Sequence, residues 1–211
     1  MFKFKTFENH FLLFSFRSVM EYDISIGTIL IGIITYLLYD TYVLGAREYV
    51  RSGIDGREYL VRSLPDKQEA ADMLANVSKN LQTLIKHLEK IAPDDPRTQR
   101  LITSFKPENI CEGVDSNEFT SYSVNKGEKV IFCLRQKNKE ATLVDTNTIM
   151  FVGIHECGHI CTKSIGHTKE FWSNFAWLLE EAIQIGIYTQ TDYKTKPVEY
   201  CGTKVTSSPL D

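Results

Sequence analysis

Apolar positions run through this chain in three rhythms, and each predicts a different kind of element. The first is continuous: from Ile24 to Leu44 the sequence reads ISIGTILIGIITYLLYDTYVL, with Asp40 as its only charge. About 20 apolar residues match the hydrocarbon thickness of a bilayer, so the run predicts a transmembrane signal anchor over 24–44, behind a short segment over 1–23. A helix buried in a core would explain the same run. Lys3, Lys5 and Arg17 precede it, while Arg47, Arg51, Arg57 and Arg62 follow. That balance places the C-terminal part in the cytosol, as a single-pass membrane protein.

The second rhythm is helical. After a polar connector over 45–64, Pro65 and Asp66 open a segment in which Leu74, Val77, Leu81, Leu84, Leu88 and Ile91 recur at steps of three and four, until Pro93 stops it. This is one stripe of an amphipathic helix that packs on the domain core, and three heptads are the short limit for a dimerising coiled coil. His87, near the stripe, reads as exposed. The third rhythm is that of strands. Residues 119–135, FTSYSVNKGEKVIFCLR, form two β-rich arms around Asn125-Lys126-Gly127 and predict a hairpin. Asp145 or Thr146 then caps a helix, a last helix runs near Lys169 to Gly186, and VEYCGTKVTSSPLD is strand-like before a tail over 206–211. The elements sum to an α+β domain over 65–205.

Candidate chemistry sits on the helix behind Asp145, in HECGHICTKSIGHTKEFW, residues 155–172. His155 and His159 are four residues apart, so both imidazoles leave one helix face and reach one ion. Glu156, beside the first ligand, is placed to hold a metal-activated water and act as general base. A catalytic Zn2+ needs a third protein ligand and an open position. His167 is the first candidate, because Gly166 can turn the chain back over the ion; Glu180 or Glu181 on the next helix is the alternative. Cys157 and Cys161 are offset by two residues from the histidines, face away from the metal and read as packing.

Composition narrows the rest. The 24 Lys and Arg against 27 Asp and Glu leave a net charge of −3, with no basic run, so no nucleic-acid footprint is evident. Five cysteines, Cys111, Cys133, Cys157, Cys161 and Cys201, are an odd and irregular set. They suit free, buried thiols in a reducing compartment. Asn76-Val77-Ser78 matches a glycosylation sequon but falls inside the amphipathic helix.

The stretch HECGHICTKSIGHTKEFW resembles the site of WLM and SprT-type zinc metallopeptidases, in which H-E-x-x-H is followed by an insert, a further histidine and a nearby Phe-Trp. The wider VDTNTIMFVGIHECGHICTKSIGHTKEFWSNFAWLLEEAIQIGIYTQTDY, with VEYCGT, is similar to membrane-anchored proteins of large DNA viruses. Seven residues separate His159 from His167, where WLM proteins usually have five. The resemblance implies a zincin-like metallopeptidase fold, His155, His159 and His167 as ligands, Glu156 as base, and Phe171-Trp172 opening the helix behind the site. It also implies a protein or peptide substrate lying along an edge strand, for which Lys129 to Leu134 is the candidate, and a host-cell or virion membrane as the location. Tyr188, Tyr193 and Tyr200 are candidates for an oxyanion partner, or simply packed residues with satisfied hydroxyls. The alternative function is a membrane-tethered structural or binding protein with a non-catalytic zinc.

Overall fold

The computed structural model describes residues 26–39, 47–114 and 120–211, in two compact units, Met1–Gly45 and Ala46–Asp211. In the first unit, α1 covers residues 26–39. At 1.5 Å per residue that is about 21 Å of axis against about 30 Å of hydrocarbon. Among the described residues no helix is long and apolar enough to cross a membrane, so the anchor expected over 24–44 gains no support, and residues 24, 25 and 40–44 lie outside the description.

The second unit opens with a hairpin where the sequence suggested a connector. Strand β1 (Arg47–Arg51) pairs antiparallel with β2 (Glu58–Arg62), Arg47 opposite Arg62. Alternation drives Tyr59 and Val61 of β2 into the core, and two buried positions in a five-residue strand are too few to stand out as a pattern. Next comes α2 (Lys67–Ile91), where Leu74, Val77, Leu81, Leu84 and Leu88 are all buried as the stripe predicts, while Ile91 is exposed. Asp95 caps α3 (Pro96–Ser104) by accepting from the Arg97 N–H, with Pro96 in the first turn, where its missing N–H costs nothing.

Three strands form the sheet beside the site: β3 (Ile110–Glu112), β4 (Tyr122–Val124) and β5 (Lys129–Phe132), in the order β3-β5-β4. The predicted hairpin is β4–β5. Its turn needs left-handed backbone at Asn125, Lys126 and Gly127 (φ 46°, 56° and 108°). The expectation that Lys129 to Leu134 is an edge strand is corrected, because β5 is central, parallel to β3 and antiparallel to β4. The edge is β4.

Helix α4 (Thr146–Cys161) starts at Asp145, whose carboxylate accepts from the Thr148 N–H. It is the central helix, buried on nearly every side, and packs against α2, α3, β4 and α5 (Lys169–Gln184). Leu81 of α2 lies against Gly153 of α4, so Leu81→Ala would open a cavity at the centre and cost about 3 kcal/mol. Gly158 lets Phe171 of α5 close on the same helix; a Cβ there would lie 3.1 Å from the ring. A buried ion network ties the sheet to α2: the Arg135 guanidinium donates to Glu112 at 2.8 Å and to both Asp66 oxygens at 2.6 Å.

The chain closes with β6 (Val198–Tyr200) and β7 (Thr203–Val205), joined by the two-residue turn Cys201-Gly202, both with positive φ, the geometry that fits hairpin twist. Cys201 is disulfide-bonded to Cys133, just beyond β5. The free-thiol expectation is thereby corrected for these two cysteines, which the fold brings together across 68 residues, and holds for buried Cys111, Cys157 and Cys161.

Candidate metal centre

Helical spacing projects His155 and His159 from α4, and their Nε2 atoms lie 3.2 Å apart. His167 returns from the following loop with its Nε2 at 3.1 Å from that of His155. The return uses Gly166 at φ +80°, and the seven-residue insert is held on both sides. The Lys126 ammonium, from the β4–β5 turn, donates to the carbonyls of His159, Thr162 and Ser164 at 3.1, 2.8 and 2.8 Å. Glu170, in the first turn of α5, accepts from the N–H groups of Lys163 and Ser164 and from the Ser164 hydroxyl. Phe171 fills the floor, with its ring centroid 4.3 to 4.9 Å from those of all three histidines.

Burial, and then the neighbouring histidines, push the His155 pKa down to about 3. His159 falls to about 4 through burial, His167 and the Lys126 charge. Both imidazoles are therefore neutral near pH 7 and offer lone pairs. One proton on His155 Nε2 could bridge only one of its two short contacts, whereas one ion satisfies all three nitrogens. Tetrahedral ligands at zinc's usual 2.0–2.1 Å would stand about 3.3 Å apart, close to the spacing observed. The three nitrogens form the metal-competent group among the described residues. The donor set fits zinc.

Glu156 is buried, and that burial lifts its pKa to about 7 against the opposing influence of the Ser123 hydroxyl and N–H on β4. Its Oε2 has no hydrogen-bond partner. A buried carboxylate oxygen left orphaned beside a metal-competent cluster is where an attacking water would be held.

The alternative third ligands are elsewhere. Glu180 is exposed, and Glu181 takes the His87 ring nitrogen at 2.8 Å, so His87 is a half-buried partner that links α2 to α5 and not the exposed residue expected. Cys157 and Cys161 are buried thiols with raised pKa values, outside the metal face. The three candidate tyrosines are buried and engaged. Tyr188 donates to the Tyr193 hydroxyl at 3.4 Å, and the Tyr200 hydroxyl shares a hydrogen bond with Ser121 and donates to the Cys133 carbonyl at 3.0 Å. Sequence reasoning missed Lys126, Ser123 and Glu170. Lys126 and Ser123 belong to a hairpin whose pattern announces only strands and a turn, and Glu170 reads as an ordinary acidic first-turn residue.

An α+β domain whose central helix carries H-E-x-x-H, with a histidine from the next loop brought beside it, defines a site able to hold a metal ion. The chain belongs to the WLM family, a zinc metalloprotease family: the WLM domain matches residues 56–209. It is 33% identical over 158 residues to an uncharacterized protein of Acanthamoeba polyphaga mimivirus, covering 73% of this chain and 80% of that one. An uncharacterized protein of Invertebrate iridescent virus 6 is 24% identical over 173 residues, covering 79% and 90%. Among solved structures, Wss1 from Saccharomyces cerevisiae aligns with a TM-score of 0.47 at 21% identity, over 59% of this chain and 85% of that one.

Proposed function

We propose that the protein is a zinc-dependent metallopeptidase, with His155, His159 and His167 as ligands and Glu156 as general base. The observation that carries the reading is the convergence of three imidazole nitrogens, with a buried carboxylate whose Oε2 is orphaned on Glu156, the residue that adjoins His155 in the chain. Zinc, when held by these three residues, supplies the Lewis acidity for amide hydrolysis. Glu156 takes the proton of the attacking water on its carboxylate and hands it to the leaving amine. Burial makes it a stronger base than an ordinary glutamate. Phe171 keeps the imidazoles oriented, and Lys126 fixes the carbonyl end of the helix that bears them. An extended substrate would add to the outer edge of β4, which among the described residues pairs only with β5.

The substrate class is protein or peptide. Membrane attachment is the companion proposal: α1 exposes Ile29, Leu30, Ile33 and Leu37, which suits an apolar surface. Zinc-loaded wild type should cleave an unstructured polypeptide, and Glu156→Gln should lose that activity while keeping zinc and fold. Equal cleavage by the variant would contradict the role of Glu156. A zinc-loaded wild type inert toward every polypeptide would favour a binding protein.

A further inference from the structure

Trp172 stands at a junction. Its indole lies beside His167, ring centroids 5.7 Å apart, and stays 43% exposed while Phe171 and Phe175 around it are buried. The same side chain walls a depression of about 500 Å³, completed by Ser173 and Ala176 of α5 and by Ser207, Ser208 and Pro209 beyond β7. These walls are preformed. The segment after β7 is anchored by Leu210, which packs on the core, and is braced internally by the Ser208 N–H, which donates to Asp211 at 2.6 Å.

No lining residue carries a charge, so a charged side chain entering here would lose hydration without gaining a partner. An indole, an alanine methyl and a proline ring suit an apolar one. Trp172 is at once a neighbour of His167 and a wall of the depression, so a peptide held at the histidine cluster and advancing about 3.3–3.6 Å per residue can set a side chain close to the cut into it. We infer that this depression is a substrate subsite that takes an uncharged apolar side chain within two residues of the scissile bond. The inference rests on the peptidase reading and adds its specificity. A pocket of this kind separates apolar from charged side chains by about tenfold or more.

Two measurements on the full chain test it. In the first, zinc-loaded protein is incubated with a library of unstructured dodecapeptides, cleavage sites are read by mass spectrometry, and Glu156→Gln supplies the background. Leu, Met and Phe should be favoured about tenfold over Asp and Lys at one fixed position within two residues of the cut. Ala176→Trp, which fills the depression, should erase that preference while peptides with Gly or Ala at the position are still cut. An unchanged profile in Ala176→Trp, or a preference for charge, overturns the inference.

The second measurement does not depend on turnover. The chain has two tryptophans, so Glu156→Gln combined with Trp177→Phe leaves Trp172 as the sole tryptophan, excited selectively at the red edge of the absorption band. Titration with two versions of one peptide, carrying Leu or Asp at the test position, should shift its emission with about tenfold tighter binding of the Leu version. Equal affinities overturn the subsite. Absence of Glu156-dependent cleavage from every peptide overturns the peptidase reading, and the titration then decides the depression separately.

Discussion

The ammonium of Lys126, at the tip of the β4–β5 hairpin, donates to the backbone carbonyl of His159, the second histidine of the metal cluster, at 3.1 Å. Two further carbonyls, of Thr162 and Ser164, share the same cation. A positive charge at the carbonyl end of a helix is favourable, and here it also fixes where the helix ends and the ligand loop begins. Lys126→Met should weaken zinc binding by about tenfold, in the range seen when groups supporting metal ligands are removed. Competition with a chromophoric chelator reads that number; unchanged affinity would reduce Lys126 to a surface cap.

Gly127 sits next to that lysine at φ +108°, and a Cβ there would meet the Ser104 carbonyl at 2.9 Å and Ile160 at 3.0 Å. Neither the backbone oxygen nor the packed isoleucine can give way cheaply. Gly127→Ala should therefore destabilise the fold by about 2–4 kcal/mol, measured by urea unfolding.

The disulfide makes a countable claim. With Cys133 and Cys201 bonded, the denatured but unreduced chain should titrate three thiols, Cys111, Cys157 and Cys161, and five after reduction. Closing a 68-residue span should add up to about 4 kcal/mol of stability, so the reduced protein melts earlier.

Asp72 offers the pH test. Its carboxylate accepts from the Ser52 hydroxyl at 2.6 Å and the Gly53 N–H at 2.7 Å, and these bonds, with Gln68, hold its pKa below the usual carboxylate range. The unfolded state then binds the proton more readily, so the contribution is complete above the unfolded pKa and disappears as pH falls through the folded one. Asp72→Asn should cost about 1 kcal/mol at pH 7 and little near pH 3, compared by denaturant midpoints at the two pH values.

Much of this was legible where the information is local. The stripe from Leu74 to Leu88, the turn at Asn125-Lys126-Gly127, the cap at Asp145 and the pairing of His155 with His159 on one helix face all follow from spacings of a few residues. What escaped depends on partners far away in sequence. The central place of β5 is set by β3 pairing on its other side, which no pattern within residues 129–132 encodes. The bond from Cys133 to Cys201 crosses 68 residues and the contact of His87 with Glu181 crosses 94. The hairpin over 47–62 leaves no strand pattern in the sequence because, of its two strands, only Tyr59 and Val61 of β2 are fully buried.

The most direct test of the central claim is the metal content of the purified chain, by elemental mass spectrometry, for wild type and His167→Ala. The account predicts one zinc per wild-type chain and its loss, or a greatly weakened hold, in the variant. A folded wild type that takes up no zinc, or a variant that retains it unchanged, would contradict the three-histidine site.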